Sequence, residues 1–380
     1  MSDQEEKELG ALRVRIDNID AQLQNLLNER ARCALQVAEV KSREAGAETL
    51  FYRPEREAQV LRKVMERNEG PLHNETVARL FREVMSACLA LENPMQIGYL
   101  GPEGTFTHAA VHKHFGHSVQ SIPLAAIDEV FREVEAGSAH YGIVPVENST
   151  EGVVNHTLDS FLDSALVICG EVELRIHQHF LVHPDQAKRD KDSAKNTQRN
   201  QGDGCIRRIY SHQQSLGQCR KWLDTHWAGV ERVAVSSNAE AARMVRDDPT
   251  AAAIAGDMAA AQYGLVLQAE KIEDNPNNTT RFLIIGNSPV PPSGKDKTSV
   301  LISTRNYPGA LYRVLEPFHD LGISLTKIET RPSKVGNWSY VFFIDFEGHV
   351  EDVKSKKLWK LLESEVAELR CLGSYPKAVL

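Results

Sequence analysis

The chain has 380 residues, 42% hydrophobic and 25% charged, which is globular material long enough for two or three domains. Its formal net charge of −8 excludes an overall attraction for nucleic acid or an anionic membrane, so any anion site must be local. The start, MSDQEEKELG, is polar and acidic where a secretory signal needs a basic end, and nothing approaches the ~18 apolar residues of a membrane span, which predicts a cytoplasmic protein.

Residues 6 to about 44 place Leu9, Leu12, Ile16, Ile19, Leu23, Leu26, Leu27, Cys33, Val37 and Val40 at helical spacing, with no glycine after Gly10. This predicts one long helix. At ~1.5 Å per residue it runs on the order of 55 Å, more than two short helices expected at 54–67 and 74–92 can cover. A partner chain covers the remainder in this reading, giving an intertwined all-α homodimer or a higher homo-oligomer.

After Asn93-Pro94 short apolar runs alternate with helical stretches. Strands are predicted at 97–101, 141–146, 167–172, 232–237, 251–256 and 281–286, with helices near 105–115, 125–136, 213–227 and 238–247, an α/β pattern. Residues 187–204 are polar and aperiodic, as in a surface insertion or a disordered loop without catalytic residues. A proline- and glycine-rich linker (287–297) precedes TSVLIST, GALYRVLEPFHDLG, ISLTKIETR, WSYVFFIDF, a helix near 352–365 and a strand by Cys371. That βαββαβ series is the α+β ferredoxin-like arrangement. The expected domains are therefore 1–94, 95–287 and 297–376.

Six cysteines (Cys33, Cys88, Cys169, Cys205, Cys219, Cys371) form no C-x-x-C pair in a chain too long to need staples. Two histidine groups, His112, His114 and His117 in HKHFGH and His177, His179 and His183 in HQHFLVH, lack a persuasive carboxylate or cysteine partner. No metal and no cofactor are expected.

Arg30 and Lys41 are eleven residues apart, so at ~100° per residue they lie within roughly 20° on one helix face and can address one ligand. Arg13 points about a quarter turn away and joins them only from another subunit. By pattern alone these are solvated charges. The segments ALRVRIDNIDAQLQNLLNERARCALQVAEVK, YRPERE and ARLFREVMSACLALE, however, resemble the all-helical chorismate mutases in order over residues 9 to 92. The resemblance implies one site of Arg30, Lys41, Arg56 and Glu57, with Arg13 from the other protomer. Chorismate is a dicarboxylate that rearranges without covalent help, so cations that clamp it and a donor on its ether oxygen are the catalytic need. Glu92 stands where many relatives have Gln, and must stay protonated to donate. Cys88 replaces a common Ser, and Arg53 stands where relatives often have Asp.

GPEGTFTHAA (101–110) follows a strand and opens a helix, an arrangement suited to anions. With VPVENSTEG (144–152), YSHQQSLGQC (210–219), SSNAEAA (236–242) and NNTTRFLIIG (277–286) it resembles the prephenate dehydratases across 97–286. Two α/β lobes of periplasmic-binding-protein type, closing on prephenate, are implied. The motif makes Thr280 the hydrogen-bond donor to the departing hydroxyl, with Arg281 and Phe282 shaping the site. Glu147 is the nearest motif carboxylate for a relay. Thr105, Asn148, Ser149, Ser211, His212 and Gln214 are expected to position substrate.

Tyr307-Pro308-Gly309-Ala310-Leu311 and Ile328-Glu329-Thr330-Arg331-Pro332 resemble the two effector motifs of the ACT domain in those dehydratases. The implied phenylalanine site comprises Gly309, Ala310, Leu311, Glu329, Thr330, Arg331 and Pro332. The whole then reads as an enzyme turning chorismate into prephenate and prephenate into phenylpyruvate, inhibited by L-phenylalanine. A non-catalytic amino-acid sensor, and a dehydratase preferring arogenate, are the alternatives.

Overall fold

The computed structural model describes residues 3–45, 52–193, 206–304, 307–332 and 340–380. They gather into two compact bodies: residues 1–53, 60–95 and 115–120, and residues 54–59, 96–114 and 121–380.

Three helices open the chain: α1 (Asp3–Ala45), α2 (Pro54–Glu66) and α3 (Asn74–Glu92). Asp3, Glu5 and Glu6 in the first turn of α1 complement its dipole. Helix α1 packs on α3 by a narrow face on which Arg30, Ala31, Ala34, Ala38 and Lys41 are half-buried. The alanines let the two helices approach closely. The apolar stripe that defines α1 is not covered: Leu9, Leu12, Ile16, Ile19, Leu23 and Leu27 remain 40–55% exposed.

The chain then runs β1 (Gln96–Leu100), α4 (Phe106–Phe115), β2 (Gln120–Leu124), α5 (Ile127–Glu135), β3 (Tyr141–Asn148), β4 (Gly152–Val153), α6 (Asn155–Asp163) and β5 (Val167–Arg175). It crosses to a second lobe of β6 (His179–Val182), α7 (Pro184–Ser193), β7 (Arg208–His212), α8 (Gln213–Gln218), α9 (Arg220–His226), β8 (Glu231–Val235), α10 (Asn238–Asp247), β9 (Ala251–Ala255), α11 (Asp257–Tyr263) and β10 (Val266–Ala269). Strand β11 (Thr279–Gly286) returns to the first lobe. The sheet orders are β2-β1-β3-β11-β5, with β4 beside β3, and β10-β6-β9-β7-β8.

Local sequence explains these elements. In α5 the apolar Ile127, Val130, Phe131 and Val134 recur at i, i+3, i+4 and i+7 and are all buried. Strand β9 is alanine-rich and wholly buried, which lets α10 and α11 close on it. The single helix expected over 213–227 is two, broken at Cys219. The stretch 187–204 begins as part of α7, and its residues from 194, like Cys205, lie outside the described residues.

The last part is β12 (Asp296–Ser303), α12 (Ala310–Asp320), β13 (Leu325–Pro332), β14 (Tyr340–Glu347), α13 (Val353–Glu365) and β15 (Glu368–Pro376), in sheet order β13-β14-β12-β15. Alternation divides its residues between two faces. Val300, Ile302, Ile344 and Phe346 lie with Val314, Phe318, Leu358 and Leu362 of the two helices. Leu301, Val341, Phe343, Leu372 and Tyr375 join Val144, Val146, Phe161, Ile168 and Leu283 in one core with the first lobe. The 287–297 stretch is therefore no loose tether. Val290 is buried, its carbonyl accepts from His349 Nε2 at 2.9 Å, and β12 begins at Asp296.

This shared core requires close backbone approach at Gly373, whose φ is +147°. A Cβ there would meet the Ile168 carbonyl oxygen and amide nitrogen, neither of which can rotate away. Gly373→Ala is expected to cost about 2–3 kcal/mol and to lower the urea midpoint of the second body.

Candidate active sites

The first body carries Arg30 and Lys41 on the half-buried face of α1, where both act electrostatically on Glu92 near the end of α3. Burial raises the Glu92 carboxyl above its ordinary range and outweighs the opposing pull of the two cations. Its Oε2 is buried and makes no hydrogen bond. Cys88, also buried, lies one turn earlier on the same helix. Arg13 is exposed and seventeen residues before Arg30, roughly 25 Å along α1. Arg56 and Glu57 stand in the first turn of α2, within the stretch 54–59 that groups with the second body.

In the second body a cleft of about 1030 Å³ separates the two lobes, ample for a small dianion. Thr105, Asn148, His212, Gln214 and Thr280 all line it. Asn148 Nδ2 donates to Thr280 Oγ1 at 2.8 Å and to Asn278 Oδ1 at 2.9 Å. The Asn148 side-chain Oδ1 is itself fixed, accepting from the backbone N–H groups of Thr150 and Glu151 at 2.9 Å each. Because Thr280 accepts from Asn148, its own hydroxyl proton can be donated into the cleft.

No lysine or arginine lines this cleft among the described residues. What it offers an anion is helix starts. Thr105 caps α4, accepting from His108 N–H at 3.3 Å; Asn155 and His156 open α6; Ser237 caps α10, accepting from Glu240 N–H at 3.0 Å. Each presents N–H groups and the positive end of a dipole. The lobes also touch across the opening. Gln218 Nε2 donates to Glu151 Oε1 at 3.2 Å, and Gln262 Nε2 to Glu103 Oε2 at 2.8 Å. At the crossover, Glu273 accepts from His177 Nδ1 at 2.7 Å and from Gln178 N–H at 2.9 Å. Burial works to raise the Glu273 carboxyl, but these donors outweigh it and hold the group below its ordinary range. His177 of the second histidine group thus serves the crossover, while His179 accepts from Lys271 N–H at 3.3 Å and His183 from Asp185 N–H at 3.2 Å, and no group of three or more residues suited to a metal occurs among the described residues.

Five expected substrate contacts are not in the cleft. Glu147 follows the opposite face of β3, and its Oε2 lies 3.0 Å from Lys327 Nζ. Arg281 alternates away from Thr280 and pairs with Glu171 at 2.8 Å and Asp345 at 2.7 Å. Phe282 is buried in the core. Ser149 Oγ accepts from Thr279 N–H at 2.9 Å and secures the strand beside it. Ser211 is fully buried, donating to the Ile254 carbonyl at 2.7 Å. The lining residues Glu151, Gln178, Asn238 and Asn278 were missed, although three of them lie inside quoted motifs and Gln178 between two noted histidines.

In the third part Gly309, with φ +86°, starts α12 in the left-handed region that favours glycine, next to the buried Ala310 and exposed Leu311. On β13 the side chains of Thr330 and Pro332 are exposed, while Glu329 and Arg331 turn inward. The Arg331 guanidinium is engaged with Asp159 of α6 at 2.8–3.0 Å.

Family models match in chain order: chorismate mutase type II over residues 12–93, prephenate dehydratase over 97–290 and the ACT domain over 298–359. The bifunctional chorismate mutase/prephenate dehydratase of Stutzerimonas stutzeri is 61% identical over 99% of this chain and 100% of its own. The Pseudomonas aeruginosa protein of the same name is 60% identical over 100% of both chains. Among solved structures, the Arthrobacter aurescens prephenate dehydratase in complex with L-Phe is similar at a TM-score of 0.65 and 32% identity, covering 74% of this chain and 90% of that one. The two-lobed fold, its cleft and these matches set aside a non-catalytic sensor: the chain belongs to the bifunctional chorismate mutase/prephenate dehydratase family, whose members rearrange chorismate and then decarboxylate and dehydrate prephenate in phenylalanine biosynthesis.

Proposed function

We propose that the first reaction is carried by Arg30, Lys41, Arg56, Glu57 and Glu92 with Arg13 from a second protomer, and the second by Thr280 with Asn148. The domains are taken as 1–94, 95–287 and 297–376, and the protein as cytoplasmic. For chorismate, the cations hold both carboxylates and so enforce the folded conformer, while protonated Glu92 donates to the ether oxygen as its C–O bond breaks.

For prephenate, the observation that carries the reading is the Asn148–Thr280 contact at the foot of the cleft. The ring carboxylate leaves as carbon dioxide, its bonding pair enters the ring, and the opposite C–O bond breaks to complete the aromatic ring. Thr280 donates a hydrogen bond to the departing hydroxyl. It is too weak an acid to release a proton alone, so the proton that makes water comes through a relay. That no lysine or arginine lines the cleft among the described residues suits the chemistry, because a guanidinium on the departing carboxylate would hold back the charge that must flow into the ring.

The exposed stripe on α1 is the dimer surface of this reading, since a lone helix with leucines half in water is not a stable arrangement. Leu23→Asp is expected to halve the mass measured by light scattering at micromolar concentration; an unchanged mass would remove the intertwined dimer. L-phenylalanine is the proposed effector, held by the Gly309–Leu311 and Glu329–Pro332 motifs, with Thr330 and Pro332 facing it and Arg331 acting from behind.

A further inference from the structure

The dehydratase residues and the regulatory sheet stand back to back. Strands β3 and β11 are antiparallel neighbours, with Thr280 opposite Asn148 and Arg281 opposite Glu147. Successive side chains of a strand point to opposite faces, so the cleft pair stands on a second pair that faces the regulatory sheet. That second pair is ion-paired across the boundary, Glu147 to Lys327 at 3.0 Å and Arg281 to Asp345 at 2.7 Å. Lys327 and Asp345 are themselves opposite each other on β13 and β14. Two neighbours on one strand pair thus hold two neighbours on the other.

The contact has little slack. Arg281 also reaches Glu171 at 2.8 Å and donates to the Tyr375 hydroxyl at 3.0 Å, and Lys297 Nζ lies 2.7 Å from Glu171. Strand β13 is the edge of its sheet and carries the second effector motif two residues beyond Lys327. Four residues beyond Lys327, Arg331 holds Asp159 of α6, the helix whose first turn lines the cleft. A small shift of β13 must therefore move Glu147 and Asp159 with it or break their pairs. Packed interfaces respond in such discrete steps, and catalysis tolerates only a fraction of an ångström of misplacement.

We propose that Lys327 and Glu147, with Arg281 and Asp345 beside them, are positioning residues that transmit the effector state of the regulatory domain to Asn148 and Thr280. This rests on the reading of L-phenylalanine as effector. The Lys327–Glu147 pair is the adjustable side, with the glutamate side chain 40% exposed, whereas Arg281 and Asp345 are about 10% exposed and belong to the core.

The test uses the full chain. Lys327→Met is expected to bind phenylalanine by calorimetry within ~3-fold of wild type and to keep its uninhibited dehydratase rate, yet to lose about tenfold of the inhibition. Lys327→Arg, which keeps the cation, restores inhibition, and mutase activity in each preparation reports folding. Should Lys327→Met misfold, the swap of Lys327→Glu with Glu147→Lys replaces it, and is expected to be inhibited where Lys327→Glu alone is not. Wild-type inhibition in Lys327→Met, or loss of phenylalanine binding together with inhibition, would overturn the proposal. A wild-type chain that binds no phenylalanine would instead remove the effector reading, and the coupling with it.

Discussion

Thr280→Ala is expected to lower phenylpyruvate formation by about 10²–10³-fold while chorismate rearrangement proceeds at the wild-type rate. The substitution removes one hydroxyl whose oxygen is held by Asn148 and whose proton addresses the departing group. The neighbouring strand does not depend on it, because β11 stays fixed by its ladders to β3 and β5 and by the Arg281 ion pairs. The loss should fall on kcat with little change in KM, since the hydrogen bond strengthens as the hydroxyl leaves. Feeding chorismate to purified protein and following prephenate and phenylpyruvate together checks both halves: prephenate should accumulate. Near wild-type phenylpyruvate would show that the hydroxyl is not the donor.

Thr280 also illustrates what could be read beforehand. Apolar periodicity located α1, α2, α3 and α5 and the βαββαβ order of the last part, because burial on one face imposes that period. Strand β6 has no alternation to mark it, because His179, Phe180, Leu181 and Val182 are all buried. Motif resemblance brought five of its named side chains to the cleft, Thr105, Asn148, His212, Gln214 and Thr280, while their motif neighbours Glu147, Ser149, Ser211, Arg281 and Phe282 do not line it. In VPVEN and TTRF, alternation sends Asn148 and Thr280 to one face and Glu147 and Arg281 to the other, and which face meets the cleft is fixed only by sheet order. The core shared by the first lobe and the regulatory sheet was equally hidden. Tyr375, Leu372 and Phe343 look like ordinary strand residues until the partner sheet is in place.

The mutase rate in the wild type is expected to be level at low pH and to fall about tenfold per pH unit above the raised pKa of Glu92. The sign follows from the donor role. Only the protonated carboxyl can donate to the ether oxygen, so activity is present below the folded pKa and is lost as pH rises through it. Burial lifts that pKa above the ordinary carboxyl value against the pull of Lys41 and Arg30, which widens the active range upward without removing its limit. A glutamine at the same place donates at every pH. Glu92→Gln should therefore flatten the profile, and its advantage over wild type should grow with each step in pH. The dehydratase rate, read in the same samples, should not respond to the substitution, which separates titration of Glu92 from general loss of protein. Parallel mutase profiles for the two proteins would mean that Glu92 does not donate. Its buried, unbonded Oε2 would then require a different occupant to explain it.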